Sequence, residues 1–253
     1  IIVINKNIRI IARLDMKGEN VVKGINLEGI RPIGNPKSIA EKYYLDGIDE
    51  IIYMDVVASL YGRNSLSSYM KEAASNIFVP LTVGGGIRNL DDIKVALDSG
   101  ADKVAINSEA IKNLSFIKEA SEEVGSQAIV LSIEAKKQKD GTWEAYYDNG
   151  RERSGKNVCD WAEEVETLGA GEILLTSVDK EGLKNGMDID LLDSIRGKLN
   201  IPIIMSGGVG SIKDIINVAD KADGVAIASV LHYKNLTIND IKSELRDNHI
   251  MVR

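Results

Sequence analysis

Acidic side chains that follow apolar runs are the first residues of this sequence that could carry chemistry. Asp15 and Glu134 do so 119 residues apart, and Asp55, Asp179 and Glu181 follow two other runs. If Asp15 and Glu134 face each other, one can be held protonated and the other ionised, as general acid and base catalysis requires. The alternatives are ordinary strand-end polarity and a carboxylate metal site. We predict no metal, because no histidine stands beside the pair.

Glycine clusters and small polar residues follow the remaining apolar runs, in a pattern typical of anion-binding turns. Gly84–Gly86 and Gly207–Gly208 form the clusters, and Asn107–Ser108 and Ala228–Ser229 follow the neighbouring runs. Such turns let backbone N–H groups approach a phosphate, and the helix that follows adds a favourable dipole. The glycines could also serve only as tight turns. Because two related clusters occur, we predict a small ligand with a phosphate at each end.

Four charged residues stand instead near the beginnings of apolar runs. They are Arg9, Glu50, Lys103 and Glu172. Two positive and two negative charges can form a neutral ring that closes the opposite end of the scaffold. They can equally be a solvated rim, since exposed ion pairs contribute little to stability.

These residues require a scaffold that brings the ends of separate strands together. Short runs rich in Ile, Val and Leu predict strands that are buried on both faces of a parallel sheet. The predicted strands are Ile8–Leu14, Glu50–Met54, Pro80–Val83, Lys103–Ile106, Ala128–Ile133, Glu172–Leu175, Pro202–Met205 and Gly224–Ala228. Helical patterns separate them, with predicted N-caps at Asn35, Asn64, Asn89, Asn113, Asp188 and Ser211. Eight such units predict a (β/α)8 barrel rather than an open, doubly wound sheet.

An internal repeat supports the barrel more strongly than the count of strands. Val79–Ile87 (VPLTVGGGI) resembles Ile201–Val209 (IPIIMSGGV), and Ala101–Ser108 (ADKVAINS) resembles Ala222–Ser229 (ADGVAIAS). The segments around Asp15 and Glu134 match in the same order. We predict one domain built from two half-barrels, roughly residues 1–125 and 126–253, because neither half can bury its sheet alone.

Composition excludes several classes of protein. The 253 residues carry a net charge of −7, which disfavours nucleic acid as a partner. No apolar run is long enough for a membrane span. One cysteine and two histidines exclude a disulfide framework and disfavour a histidine-rich metal centre. We predict a cytoplasmic protein that needs no cofactor.

The sequence resembles a known family, the cyclase subunit of imidazole glycerol phosphate synthase. The stretches that carry the resemblance are Arg13–Gly24 (RLDMKGENVVKG), Thr82–Ile87 (TVGGGI), Gly100–Ser108 (GADKVAINS), Gly169–Gly182 (GAGEILLTSVDKEG) and Ser206–Gly210 (SGGVG). The resemblance implies a half-barrel-duplicated lyase of histidine biosynthesis. Ammonia from a glutaminase subunit, docked under the barrel in a heterodimer, would add to phosphoribulosyl-formimino aminoimidazole carboxamide ribonucleotide, which has a phosphate at each end. The products would be imidazole glycerol phosphate and an aminoimidazole carboxamide ribonucleotide.

The resemblance also implies roles for individual residues. Asp15 and Glu134 fall on the family's two catalytic carboxylates, and Lys23 on the loop that closes over the substrate. Asp102 falls on the glutaminase-facing surface. One phosphate site would comprise Gly86, Asn107 and Ser108, the other Gly207, Gly208, Ala228 and Ser229, with Glu181 nearby, and the gate to the ammonia passage Arg9, Glu50, Lys103 and Glu172.

The chain departs from the family pattern at the reacting end. The family's second catalytic acid is an aspartate where this chain has Glu134, and a small residue is usual at Arg13. Aspartate and threonine are usual where this chain has Glu181 and Leu183. Because a cation two positions before Asp15 lies on the same side of the strand, Arg13 should lower the pKa of Asp15.

Three other functions stay open at the level of sequence. One is a paralogue that passes ammonia to a partner in amidino-sugar synthesis for surface polysaccharides. The second is a non-catalytic barrel that docks and activates a glutaminase. The third is the related sugar-phosphate isomerase barrel, which the four gate charges disfavour because an isomerase admits no ammonia.

Overall fold

The computed structural model describes residues 7–58 and 67–253, and within these ranges a parallel barrel forms the centre of the molecule. Eight of the twelve strands in these ranges are parallel and close the barrel in the order β1, β4, β5, β6, β7, β10, β11, β12. The strands are β1 Arg9–Lys17, β2 Asn20–Ile25, β3 Glu28–Gly34, β4 Glu50–Asp55, β5 Leu81–Gly84, β6 Lys103–Ile106, β7 Ile129–Lys137, β8 Trp143–Tyr147, β9 Glu152–Asn157, β10 Glu172–Ser177, β11 Ile203–Ser206 and β12 Gly224–Ile227. The predicted (β/α)8 barrel is therefore confirmed.

Helices surround this barrel and connect its strands. The helices of the described ranges are α1 Pro36–Leu45, α2 Ser67–Ala74, α3 Leu90–Asp98, α4 Ser108–Lys112, α5 Ser115–Val124, α6 Val158–Thr167, α7 Ile189–Arg196, α8 Ile212–Ile216, α9 Ser229–His232 and α10 Ile238–Asp247, with a 3-10 turn at Ser126–Ala128. None of these helices has the length and apolar character that crossing a membrane requires.

The predicted N-caps are mostly confirmed. The side chains of Asn35, Asn89 and Asp188 accept backbone N–H groups of the first turn, and Ser211 forms a capping box with Asp214. Asn113 is wrong as a cap: the helix begins at Ser115, whose hydroxyl donates to the Asn113 side chain. Asn64 lies outside the described residues.

Two antiparallel hairpins were not predicted. β2 and β3 follow β1, and β8 and β9 follow β7, so they occupy equivalent places in the two halves. β3 and β9 are largely exposed and lack the apolar runs by which the barrel strands were recognised. The sequence Asp148-Asn149-Gly150 is a turn signal for the second hairpin, because these residue types tolerate positive φ. All three residues have positive φ in the structure.

The core consists of two apolar layers. The larger lies between the barrel and its helices and contains Trp161, which is 1% exposed. The smaller fills the inside of the barrel and includes Ile11, Ile52, Leu174 and Ile204. Because side chains alternate along a strand, the residues that continue the inner row on β1 are Arg9, Arg13 and Asp15.

Candidate functional site

Asp15 lies at the end of β1, deep inside the barrel mouth, and is 4% exposed. Its Oδ1 accepts a hydrogen bond from Arg13 Nε at 2.8 Å, and its Oδ2 lies 3.5 Å from Lys23 Nζ. Burial alone would raise the pKa of Asp15, but the charges of Arg13 and Lys23 outweigh it and lower the pKa. This confirms the effect predicted for Arg13 and leaves Asp15 ionised.

Glu134 occupies the equivalent place on β7 and is 7% exposed. Its Oε2 accepts a 2.7 Å hydrogen bond from the backbone N–H of Gly150, which lies in the turn between β8 and β9. Burial raises the pKa of Glu134 to about 7, although the Gly150 bond and the Arg13 charge oppose this. The two carboxyl groups therefore differ in protonation, Asp15 being ionised and Glu134 partly protonated at neutral pH.

Arg13 and Lys23 connect the carboxylates of this mouth. Besides Asp15, Arg13 donates from one terminal nitrogen to the hydroxyls of Thr176 at 2.9 Å and Ser206 at 3.3 Å. Lys23, on β2, forms an ion pair with Glu181 and is 3% exposed. Among the residues predicted from sequence, Lys23 and Glu181 thus join Asp15 in one buried network.

A first cavity lies between β4, β5, β6 and β7. The predicted residues Gly86, Asn107, Ser108 and Glu134 line it, and Arg88 and Lys112 contribute positive charge. Gly85 has φ +89°, and a Cβ there would come within 2.2 Å of the Asp55 carbonyl oxygen, so the turn requires glycine. This cavity fits the first predicted anion pocket in its lining.

A second cavity lies on the other side of the mouth. Its lining includes the predicted Glu181, Gly207, Gly208, Ala228 and Ser229, together with Lys184. Gly208 has φ +96°, and a Cβ there would meet the Gly186 carbonyl oxygen at 2.2 Å. The two glycine clusters therefore line separate cavities, as the repeat predicts, and Glu181 of the Asp15 network lines the second of them.

The four charges at the strand beginnings meet at the opposite end of the barrel. Arg9 binds Glu50 at 2.9 Å and Glu172 at 2.5 Å, while Lys103 binds Glu172 at 2.6 Å and lies 3.8 Å from Glu50. The side chains of Glu50 and Glu172 are nearly buried, and those of Arg9 and Lys103 are 16% and 20% exposed. The geometry is a ring of alternating charges rather than a solvated rim. Its role as a gate stays a prediction.

Comparison with known proteins shows the family. The model of the family described as histidine biosynthesis protein matches residues 9–237. The chain belongs to this family. An imidazole glycerol phosphate synthase subunit HisF of Legionella pneumophila is 54% identical over 208 residues, which are 82% of this chain and 98% of that protein. Subunits of the same name from Lactococcus lactis subsp. cremoris (strain MG1363) and Hydrogenobaculum sp. (strain Y04AAS1) are 46% and 45% identical and cover 97% of this chain, over 96% and 98% of their own lengths.

Three of the four positions at which we expect a departure from the family pattern lie at the mouth. Arg13, Glu134 and Glu181 are buried and interact with one another or with Asp15, whereas Leu183 is 41% exposed. After burial and the charge of Asp15, the charges of Glu181 and Glu134 both raise the pKa of Arg13. The three buried side chains therefore act on the electrostatics of a single site.

Several residues near the site were not found from sequence. Ser108 donates to Asp148 Oδ1 at 3.0 Å, which places a carboxylate beside the first cavity. His232 shares a 2.8 Å hydrogen bond with the Tyr43 hydroxyl, and burial, followed by the charge of Lys23, lowers the pKa of His232 to about 4. The sequence around Asp148 and His232 gave no signal for either residue, because each meets its partner only through a contact between distant parts of the chain.

Proposed function

We propose that this chain is the ammonia-dependent cyclase subunit of an imidazole glycerol phosphate synthase. The observation that carries the proposal is the pair of buried carboxyls in different protonation states, Asp15 and Glu134, at a mouth with two glycine-lined cavities, the first of which Glu134 lines. Ring closure after ammonia addition needs a group that accepts a proton and a group that donates one. Asp15 is the ionised member and so can accept a proton, although the cations that lower its pKa also make it a weaker base; Glu134, with a pKa of about 7, can donate one.

The cavities support a substrate with a phosphate at each end. In the first cavity, Gly85 and Gly86 have no side chain to keep a phosphate away from their backbone, and Arg88 and Lys112 add positive charge. In the second, Lys184 plays that part beside Gly207 and Gly208. If one phosphate of the substrate binds in each cavity, the reacting centre between the two phosphates would lie close to the Asp15 network.

The HisF names of the relatives imply a partner subunit, and we propose a glutaminase at the end of the barrel that holds the charge ring. Two exposed apolar side chains stand at this end of the barrel: Leu45, 81% exposed, before β4 and Phe78, 76% exposed, before β5. Asp102, predicted to face the partner, lines the same shallow depression as Phe78. Exposed aromatic and aliphatic side chains of this kind are suited to burial in an interface. The single cysteine, Cys159, is free, which agrees with the cytoplasmic location we propose.

The second candidate is a paralogue that passes ammonia to amidino-sugar synthesis. It is favoured by one observation: Arg13 and Lys23 occupy both oxygens of Asp15, which reduces the basicity of the group on which cyclisation depends. In that case the barrel would pass ammonia to a sugar-modifying partner without converting the formimino substrate.

The test is turnover of the formimino substrate by the purified barrel supplied with an ammonium salt. We expect loss of substrate absorbance, and Asp15→Asn should abolish it. The control is Asp247→Asn, an exposed aspartate at the end of α10, which should leave turnover unchanged. Binding of a glutaminase by a barrel that gives no turnover would instead favour the non-catalytic barrel that docks and activates a glutaminase.

A further inference from the structure

Arg13 lies across the inside of the barrel at a depth between the charge ring and the mouth. The inner row of β1 reads Arg9, Ile11, Arg13, Asp15, and the inner row of β10 reads Glu172, Leu174, Thr176. Arg9 bonds to Glu172, and Arg13 bonds to Thr176 further up the same two strands. The apolar pair Ile11 and Leu174 lies between these two polar levels.

The guanidinium is held firmly in this position. Its bonds reach β1 at Asp15, β10 at Thr176 and β11 at Ser206, so it spans strands on different sides of the interior. Arg13 is 2% exposed, and the pKa of its side chain is raised because the attraction of Asp15 and Glu181 outweighs the cost of burial. An eight-stranded barrel has an interior that side chains alone can fill, so one long side chain at this level leaves little free space.

We propose that Arg13 is an inner barrier in the passage through the barrel, so that ammonia entering at the charge ring reaches the Asp15 site only when the guanidinium is displaced. This proposal rests on the proposed function, in which ammonia is delivered from below. Arg13 is a positioning residue in this role. Arg13 is held by Asp15, the group that would act on the substrate. The contact between them would therefore affect both the passage of ammonia and the binding of substrate.

Two substitutions separate filling of the passage from charge. Arg13→Ala removes both the charge and the bulk of the side chain, whereas Arg13→Met removes the charge but keeps an unbranched chain in the interior. Both variants release Asp15 from its ion pair, so any effect on the carboxylate itself is common to them. Only Arg13→Ala should open the passage.

The functional readout is the ratio of glutamine-driven turnover, in the complex with the glutaminase subunit, to turnover driven by an added ammonium salt. Added ammonium can enter through the open mouth, so it does not depend on the passage. We expect Arg13→Ala to raise the ratio on the order of tenfold, as loss of a barrier of about 1.4 kcal/mol would do. Arg13→Met should keep the ratio of the unaltered protein. Equal ratios in all three proteins, or equal rises in both variants, would overturn the proposal.

A structural readout decides the proposal even if the barrel turns over no formimino substrate. Crystals of the three substrate-free proteins should show ordered water between Thr176, Ser206 and Asp15 in Arg13→Ala only, because those polar groups then face an open space. Ordered water passing beside Arg13 in the unaltered protein would contradict the barrier. Failure of turnover with ammonium would instead count against the cyclase function alone.

Discussion

At the scale of single residues, the site is defined by two buried carboxyl groups with opposite environments. Asp15 has cations on both oxygens, while Glu134 accepts a backbone N–H and forms no ion pair with any residue that the structure describes. Burial disfavours the charged form of each, and only Asp15 has enough positive charge nearby to reverse this. The difference between the two groups is therefore a property of their neighbours rather than of residue type.

Glu134 should make the protein less stable as pH rises. Its pKa is about 7 in the folded protein and near 4.5 when unfolded, so the folded state binds the proton more tightly. The stabilisation is complete below pH 4.5 and is lost as pH rises through 7. Relative to Glu134→Gln, the unaltered protein should lose roughly 3 kcal/mol of unfolding free energy between pH 4 and pH 8. Urea unfolding of both proteins measures this; a constant difference across the range would contradict it.

At the scale of elements, the hairpin β8–β9 follows β7 and folds back so that its turn contacts the carboxyl group of Glu134 on β7. Its turn supplies the Gly150 N–H, and Gly150 has φ +73°, a conformation unfavourable for other residues. Leu27, between β2 and β3, lies beside Gly150, since a Cβ added at Gly150 would be 3.1 Å from Leu27 Cδ1. The Asn149 side chain donates to the Leu27 carbonyl. The two hairpins thus meet over the mouth and help to position an acid.

Gly150→Ala should therefore affect stability and activity together. The positive φ and the Leu27 Cδ1 atom 3.1 Å from the new Cβ should cost about 1–2 kcal/mol of unfolding free energy and displace the N–H from Glu134. Loss of that bond should raise the pKa of Glu134 and shift the pH profile of turnover upward.

The control for this substitution is Gly141→Ala, at the turn between β7 and β8. Gly141 also has positive φ, +88°, but its Cβ would meet nothing within 4 Å. It should cost a similar amount of stability without moving the pH profile. Unfolding curves and pH profiles of both variants decide; equal shifts in the two profiles would argue against a role of Gly150 in positioning Glu134.

At the scale of the whole molecule, the charge ring joins the two half-barrels that we propose from the repeat. Glu172 belongs to the second half and binds Arg9 and Lys103 of the first. Burial alone would lower the pKa of Arg9, but the charges of Glu172 and Glu50 outweigh it and raise the pKa, so Arg9 stays ionised. Removing one member leaves partly buried charges without their full complement.

Glu172→Gln should lower the free energy of unfolding by about 2 kcal/mol, less than for a fully buried pair because Arg9 and Lys103 are partly exposed. The control is Glu163→Gln, which removes an ion pair of similar length, 2.7 Å to Lys198, between side chains about half exposed. That change should cost less than 1 kcal/mol. Urea unfolding of the two variants is the measurement, and equal losses would show that the ring is not special.

The sequence alone determined the architecture and the location of the site. Buried strands of a parallel barrel are continuous apolar runs, so all eight could be recognised, and the repeat paired Asp15 with Glu134 and one glycine cluster with the other. These features depend on local pattern and on register within a strand. Residues at strand ends therefore converge on one mouth wherever the barrel closes.

Only the tertiary structure decided how the site is charged and what closes its interior. The bond from Gly150 to Glu134, the reach of Arg13 to Thr176 and Ser206, and the pairing of Lys23 with Glu181 join residues from separate strands or from hairpins with no apolar pattern. Electrostatic effects act through space and depend on burial, which no spacing along the chain reports. For this reason the different pKa shifts of Asp15 and Glu134 could be recognised only in the folded chain.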